Sequence, residues 1–246
     1  MSIFLLTFLR AAAGIASMTA AVERGDLDEA ARQGALAGPT VVERALKSKV
    51  RSTVLAGIVA APTVEDRAEV LATLAEVAAG SDRRTAIPAA RAARTIARAL
   101  ARKDLADDLA PDDIEQWRER FEQIALSRTL IEVRIAALET ANALEHVLDP
   151  DQLGFALGRA LGQADPALRV AALGLVDRAP IADRAAIVAA VADPDVAVAI
   201  AAAQALCADD DLVAIKTALG DAGIGKIRAL VKAHATEIRD AARCLN

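Results

Sequence analysis

Residues 165–206 read DPALRVAALGLVDRAPIADRAAIVAAVADPDVAVAIAAAQAL; they state one helical phrase and begin it again 28 residues later. Asp165-Pro166 opens the first statement and Asp193-Pro194 the second. Aspartate accepts from the free amides of a first helical turn, and proline at the first position gives up no bond that the helix would have made. A helix pair this short cannot bury its own apolar face, so it has to stack on neighbours of the same kind.

The phrase recurs along the chain. Leu168-Arg169-Val170-Ala171-Ala172-Leu173 is matched by Val133-Arg134-Ile135-Ala136-Ala137-Leu138 and loosely by Ile227-Arg228. Arg51 and Arg169 each stand eleven residues before a proline, Pro62 and Pro180, and EDRAEVLA at 65–72 parallels ADRAAIVA at 182–189. Helices are expected at 26–36, 39–48, 49–61, 64–79, 88–103, 111–127, 130–148, 151–163, 167–178, 181–192, 195–207, 210–219, 225–234 and 236–244. No stretch of useful length alternates with the period of a strand. The reading is all-α: an α-solenoid of about six stacked helical hairpins over 22–246, its repeats degenerate in 40–127 and clearer in 128–240.

Composition fits such an array. Apolar residues make up 54% of the 246 residues but aromatics only 2%, so the core must be alanine, leucine, valine and isoleucine at close spacing. A net charge of −5 and a pI near 5.2 argue against nucleic acid or an anionic bilayer as the default partner, because both select a basic face. Cys207 and Cys244 lie at separate helix ends without metal-ligand spacing. They could pair in an oxidising compartment, although nothing in the sequence requires it.

The amino-terminal segment 1–21 has three readings. Its apolar run IFLLTFL at 3–9 is too short to span a bilayer, and Arg10 follows the run rather than preceding it. Thr19-Ala20-Ala21 suits cleavage of a secretory signal, which would make the protein exported or periplasmic. Met18 suits a true start with residues 1–17 as a mis-assigned extension, and the segment also reads as an ordinary first helix of a cytoplasmic protein.

The phrase Asp-Pro-x-Leu-Arg-x-Ala-Ala, carried by Asp165, Pro166, Leu168, Arg169, Ala171 and Ala172 and in part by Asp193, Pro194, Val196 and Ala199, resembles that of the HEAT-repeat superfamily. The bacterial HEAT-like branch related to phycobilisome lyase subunits is the nearest in wording. The resemblance covers about residues 40–240. It implies a right-handed superhelix whose second helices line a concave surface, and an arginine ladder in which the phrase arginine meets aspartates of adjoining repeats. Ala197 stands where that arginine belongs, so the ladder is expected to break there.

The clearest surface signal lies in 88–103, PAARAARTIARALARK. At about 100° per residue, Arg91, Arg94, Arg98 and Arg102 share a stripe roughly 80° wide, opposite Ala89, Ala93, Ile96, Ala97 and Leu100. The stripe suits a phosphate or an acidic partner. The plainer expectation is that it meets the acidic residues of 104–119, since adjacent helices of a solenoid touch.

Other motifs carry less. Gly220-x4-Gly225-Lys226 has P-loop spacing, but Ile227 replaces the hydroxyl residue and no strand precedes it, so the glycines read as an inter-helix turn. His146 and His234 lack paired-ligand spacing and read as solvent-facing. Asp209-Asp210-Asp211 lacks the glycine and distal glutamate of a calcium loop. Trp117 and Phe121, four apart, read as core.

No catalytic constellation can be assembled, and no cofactor or metal is expected. The function anticipated is a non-catalytic scaffold that binds an unknown protein or peptide on a concave helical surface. The resemblance also implies two alternatives: an accessory of cofactor attachment, lyase- or chaperone-like, or nucleic-acid binding like that of HEAT-like alkylpurine DNA glycosylases. The latter needs aromatic residues on a basic surface, and this chain has no tyrosine and one tryptophan.

Overall fold

The computed structural model describes residues 2–101, 109–148, 155–176, 181–208 and 212–238, with 2–9, 155, 181–183, 212–215 and 218 by their backbone alone. Among these residues there is no strand, and the helices are α1 (Ser2–Glu23), α2 (Leu27–Ala37), α3 (Pro39–Leu46), α4 (Arg51–Ala60), α5 (Leu71–Ala78), α6 (Arg83–Leu100), α7 (Pro111–Leu126), α8 (Ile131–Leu148), α9 (Phe155–Leu161), α10 (Pro166–Gly174), α11 (Ile181–Ala190), α12 (Val196–Ala208) and α13 (Leu212–Ala233). The chain forms an α-solenoid and divides into two compact units, Met1–Val147 and Leu148–Asn246.

In the first unit neighbouring helices pair as α1 with α2, α3 with α4, and α5 with α6. The second helices α2, α4 and α6 then pack in succession as one layer, and the first helices α1, α3, α5 and α7 as another. The phrase helix therefore closes a hairpin rather than opening one, since α4 packs on α3 before it and α6 packs on α5. Small side chains set the spacing. A Cβ added to Gly34 would stand 2.1 Å from the Ala60 Cβ, so α2 and α4 touch almost backbone to backbone. Larger residues fill the space between the layers, with Met18, Val42, Leu71, Leu74, Ile96, Phe121, Leu138 and Leu144 fully buried. α1 runs unbroken through Thr19-Ala20-Ala21, and Met18 and Ala21 belong to this core.

Two expected boundaries move. The helix expected over 64–79 begins only at Leu71, behind a 3-10 turn at Arg67–Val70. The helix expected from Pro88 starts five residues earlier, because Asp82 caps it by accepting from the Arg84 amide at 3.1 Å. Pro88 sits inside α6, beyond the first turn, where it withholds the amide that would have met the Arg84 carbonyl.

In the second unit α9 packs on α10 and α11 on α12, with α10 against α12 in one layer and α11 against α9 and α13 in the other. Leu173, Ile187, Val191, Val198, Leu206, Ile227 and Val231 form its core. The two phrases differ in how they start their helices. Asp165 caps α10 through the Ala167 amide at 3.0 Å, whereas α12 is capped by Asp195, through the Ala197 and Val198 amides at 2.9 and 3.3 Å. Asp193 is left for another task.

α13 kinks at Gly220, whose φ of 60° and ψ of 178° suit a residue without a Cβ. The expected glycine turn over 220–227 thus narrows to this one residue, and Gly223 and Gly225 lie within the helix. Cys207 is fully buried and disulfide-bonded. Cys244, Asp209-Asp210-Asp211 and most of the helix expected at 236–244 lie outside the described residues.

Candidate partner-binding face

The phrase arginines hold one repeat to the next. Arg169, at the start of α10, donates from Nη1 to the Gln163 and Ala164 carbonyls at 2.9 and 3.1 Å, just past the end of α9, and from Nη2 to Asp193 Oδ1 at 3.0 Å. Asp193 also accepts the Asp195 amide at 2.9 Å, so one carboxylate joins two hairpins. Arg134 likewise donates to the Ala125 carbonyl at 2.9 Å near the end of α7. Arg51, aligned with Arg169 by sequence, reaches Asp82 at the start of α6 at 3.0 Å. The Arg84 amide first and Arg51 second hold the Asp82 carboxyl below its ordinary range. Ala197, at the matching position of α12, is exposed and offers no such bond.

Beside α4 on one side and tied to α8 by ion pairs, α6 presents two adjoining rows of arginine. Arg83 and Arg94 turn to α8, meeting Glu132 and Glu139 each at 2.6 Å. Arg84, Arg91 and Arg98, spaced seven apart, form the neighbouring row, of which Arg98 shares Glu139 at 3.5 Å. Arg84 and Arg91 are exposed and form no ion pair among the described residues. Three of these guanidiniums thus meet two carboxylates of α8, while Arg84, whose charge is felt by Asp82, and Arg91 are left exposed.

Three of the four arginines of the expected stripe lie among the described residues. Of its members, Arg91 is open to solvent, Arg94 and Arg98 converge on Glu139, and Arg102 lies outside the described residues together with 104–108. The carboxylate that meets Arg94 and Arg98 comes from α8, not from the acidic residues that follow α6. Arg83 and Arg84 fall outside the sequence pattern because Pro88 suits a first helical position; Asp82, three residues before Thr85, is the cap signal that brings them into the helix.

The acidic residues of α7 are partly used at home. Arg118 is buried and donates to Glu115 from Nε and Nη2, both at 2.6 Å, and to Glu122 from Nη1 at 3.0 Å. The Glu115 hydrogen bonds raise the Arg118 pKa, and the Arg118 hydrogen bond lowers that of Glu115, so both stay charged. Phe121 is fully buried, while Trp117 is only half-buried.

The remaining candidates are scattered. His146 is half-buried in the last turn of α8, and His234 follows α13 with Nδ1 3.0 Å from Glu237 Oε1, so it has a partner that its isolation in sequence did not suggest. Among the described residues no three His, Cys, Asp or Glu side chains are grouped to hold a metal ion, and no helix is long and apolar enough to cross a membrane.

No protein-family model and no curated protein matches the chain. Among solved structures it is similar to Kap121p, a HEAT/armadillo-repeat protein, with a TM-score of 0.50 and 18% identity over 83% of this chain. The match covers 22% of Kap121p, so the chain spans about a fifth of that protein's length. At this identity the likeness shows the fold, a helical-repeat solenoid.

Proposed function

We propose that the chain is a non-catalytic HEAT-repeat scaffold that binds a protein partner on its second-helix layer, with Arg84, Arg91 and Arg98 of α6 taking acidic side chains. The observation that carries this reading is the surplus of arginine over carboxylate on that layer. Arg84 and Arg91 form no ion pair among the described residues, and each could form charge-assisted bonds with a carboxylate brought by a partner. The family resemblance assigns partner binding to the same layer. Its finer implication, an accessory of cofactor attachment in the lyase-related branch, rests on the Asp-Pro-x-Leu-Arg phrase alone.

The test is cross-linking and affinity capture from the native cell with the intact chain and with an Arg84→Glu/Arg91→Glu variant. The expected result is a reproducible partner that the variant loses, with capture weakening as salt is raised. Equal recovery by the variant would remove the α6 face, and no reproducible partner would remove the scaffold reading.

A further inference from the structure

We infer a second binding site, distinct from the α6 face, in the cleft where α1, α2 and α3 meet. It fits an acidic peptide segment that presents an apolar side chain between carboxylates. The cleft has a volume of about 500 Å³, with Ala11, Gly14, Ala37 and Val41 at its contact surfaces and Arg10 and Arg44 beside them. Gly14 draws α1 and α2 together, since a Cβ added to it would lie 3.1 Å from the Ala37 Cβ; the small residues around it leave a groove instead of a filled seam. Leu36 lines the same cleft and is 82% exposed. Leucine and groove together form one apolar patch of the kind that a partner's side chain can cover.

Charge selects the occupant. Arg10 and Arg44 are both exposed and form no ion pair among the described residues. Two carboxylates on the flanking helices are committed elsewhere. Glu29 accepts from Gln33 at 2.7 Å and from Arg32 at 2.7 and 3.0 Å, and these bonds lower its pKa. Glu43 is held by Lys47 and Thr73. Arg10 and Arg44 thus stand at the cleft without an ion pair among the described residues, Arg44 sensing only the charge of its neighbour Glu43, beside a lining that is mostly small and apolar. A second copy of this chain meeting the first cleft to cleft would set arginine against arginine, so the charge of the cleft favours a foreign acidic segment. Two carboxylates could engage Arg10 and Arg44 while a leucine-sized side chain covers the groove beside Leu36.

The experiment selects random twelve-residue peptides displayed on phage against the intact chain, then measures fluorescein-labelled versions of the enriched peptides by anisotropy. Enrichment of peptides that combine acidic and large aliphatic residues is expected. Affinity should fall at least about tenfold in Arg10→Glu/Arg44→Glu, less in Arg10→Gln/Arg44→Gln, and several-fold in Leu36→Ser, while Arg84→Glu/Arg91→Glu leaves it unchanged. Far-UV circular dichroism and melting of each variant report folding separately, and the neutral pair serves if charge reversal unfolds α1. Absence of enrichment, enriched peptides without carboxylates, or binding that follows Arg84 and Arg91 instead would overturn the inference.

Discussion

Arg169 and Asp193 meet at 3.0 Å with side chains only 14% and 15% exposed, and Arg51 and Asp82 make the corresponding bond at 3.0 Å in the first unit. The geometry is shared but the surroundings are not. Arg169 also closes two carbonyls beyond α9, while the Arg51 pair stands in solvent. Removing Arg169 leaves the shielded Asp193 carboxylate with the Asp195 amide but no counter-charge, and takes the guanidinium donor from both carbonyls. Arg169→Ala should therefore lower the stability of the second unit by roughly 2–3 kcal/mol, whereas Arg51→Ala should change the first unit little. Urea unfolding of both variants checks the contrast; equal midpoints would mean that the rung contributes nothing beyond a surface pair.

Helix spacing gives the second prediction. Gly34→Ala would place a methyl 2.1 Å from the Ala60 Cβ, where neither α2 nor α4 has a flexible side chain to move aside. The expected loss is about 2 kcal/mol or more. Gly158, in α9, is exposed with nothing within 4 Å of an added Cβ, and Gly158→Ala should stabilise by roughly 0.5–1 kcal/mol. Opposite shifts in melting temperature are the result to look for.

What could be seen in the sequence follows from the range of each interaction. Two rungs are legible, since Arg51 and Arg169 stand at the same distance from a proline and each bonds an aspartate, whereas Arg134 meets the Ala125 carbonyl. Helix caps are local, so Asp165 was found correctly. Likeness to Asp165 makes Asp193 the expected cap, but Asp195 sits nearer the first amides of α12 and leaves Asp193 to Arg169. The face of α6 was only half legible. Its period of arginines is local, but Glu139 lies 45 residues beyond Arg94, and no pattern on α6 names it. Arg10 and Arg44 are 34 residues apart and belong to no motif, so only the folding of α1, α2 and α3 brings them to one cleft.

Acid should weaken the first unit. Glu115, Glu43 and Asp82 all have pKa values lowered on folding, chiefly by the Arg118 hydrogen bond, the Lys47 hydrogen bond and the Arg84 amide respectively. A carboxylate with a lowered folded value contributes stability that is complete above its unfolded value and disappears as pH falls through the folded one. The melting temperature should thus hold near neutrality and decline between about pH 5 and pH 3. In Glu115→Gln that decline should be shallower, because the substituted amide no longer titrates. A melting temperature that rises on acidification would contradict the assignment of these three pairs.

Glu139 separates stability from binding, because it serves α6 and α8 at once. Its carboxylate, 17% exposed, holds Arg94 at 2.6 Å and Arg98 at 3.5 Å. Replacing it by the isosteric amide in Glu139→Gln removes the attraction between the two helices while keeping the shape, and should cost about 1–2 kcal/mol of stability. The same substitution frees two guanidiniums beside Arg84 and Arg91. Affinity of the second-helix layer for an acidic probe such as poly-L-glutamate should then rise, by about two- to fivefold at low salt, with the gain fading as ionic strength increases. The two effects have opposite signs, so a general loosening of the fold cannot produce both. Lower stability with unchanged affinity, read from urea midpoints and surface plasmon resonance on the same preparation, would leave α6 with a structural role and place the acidic partner elsewhere.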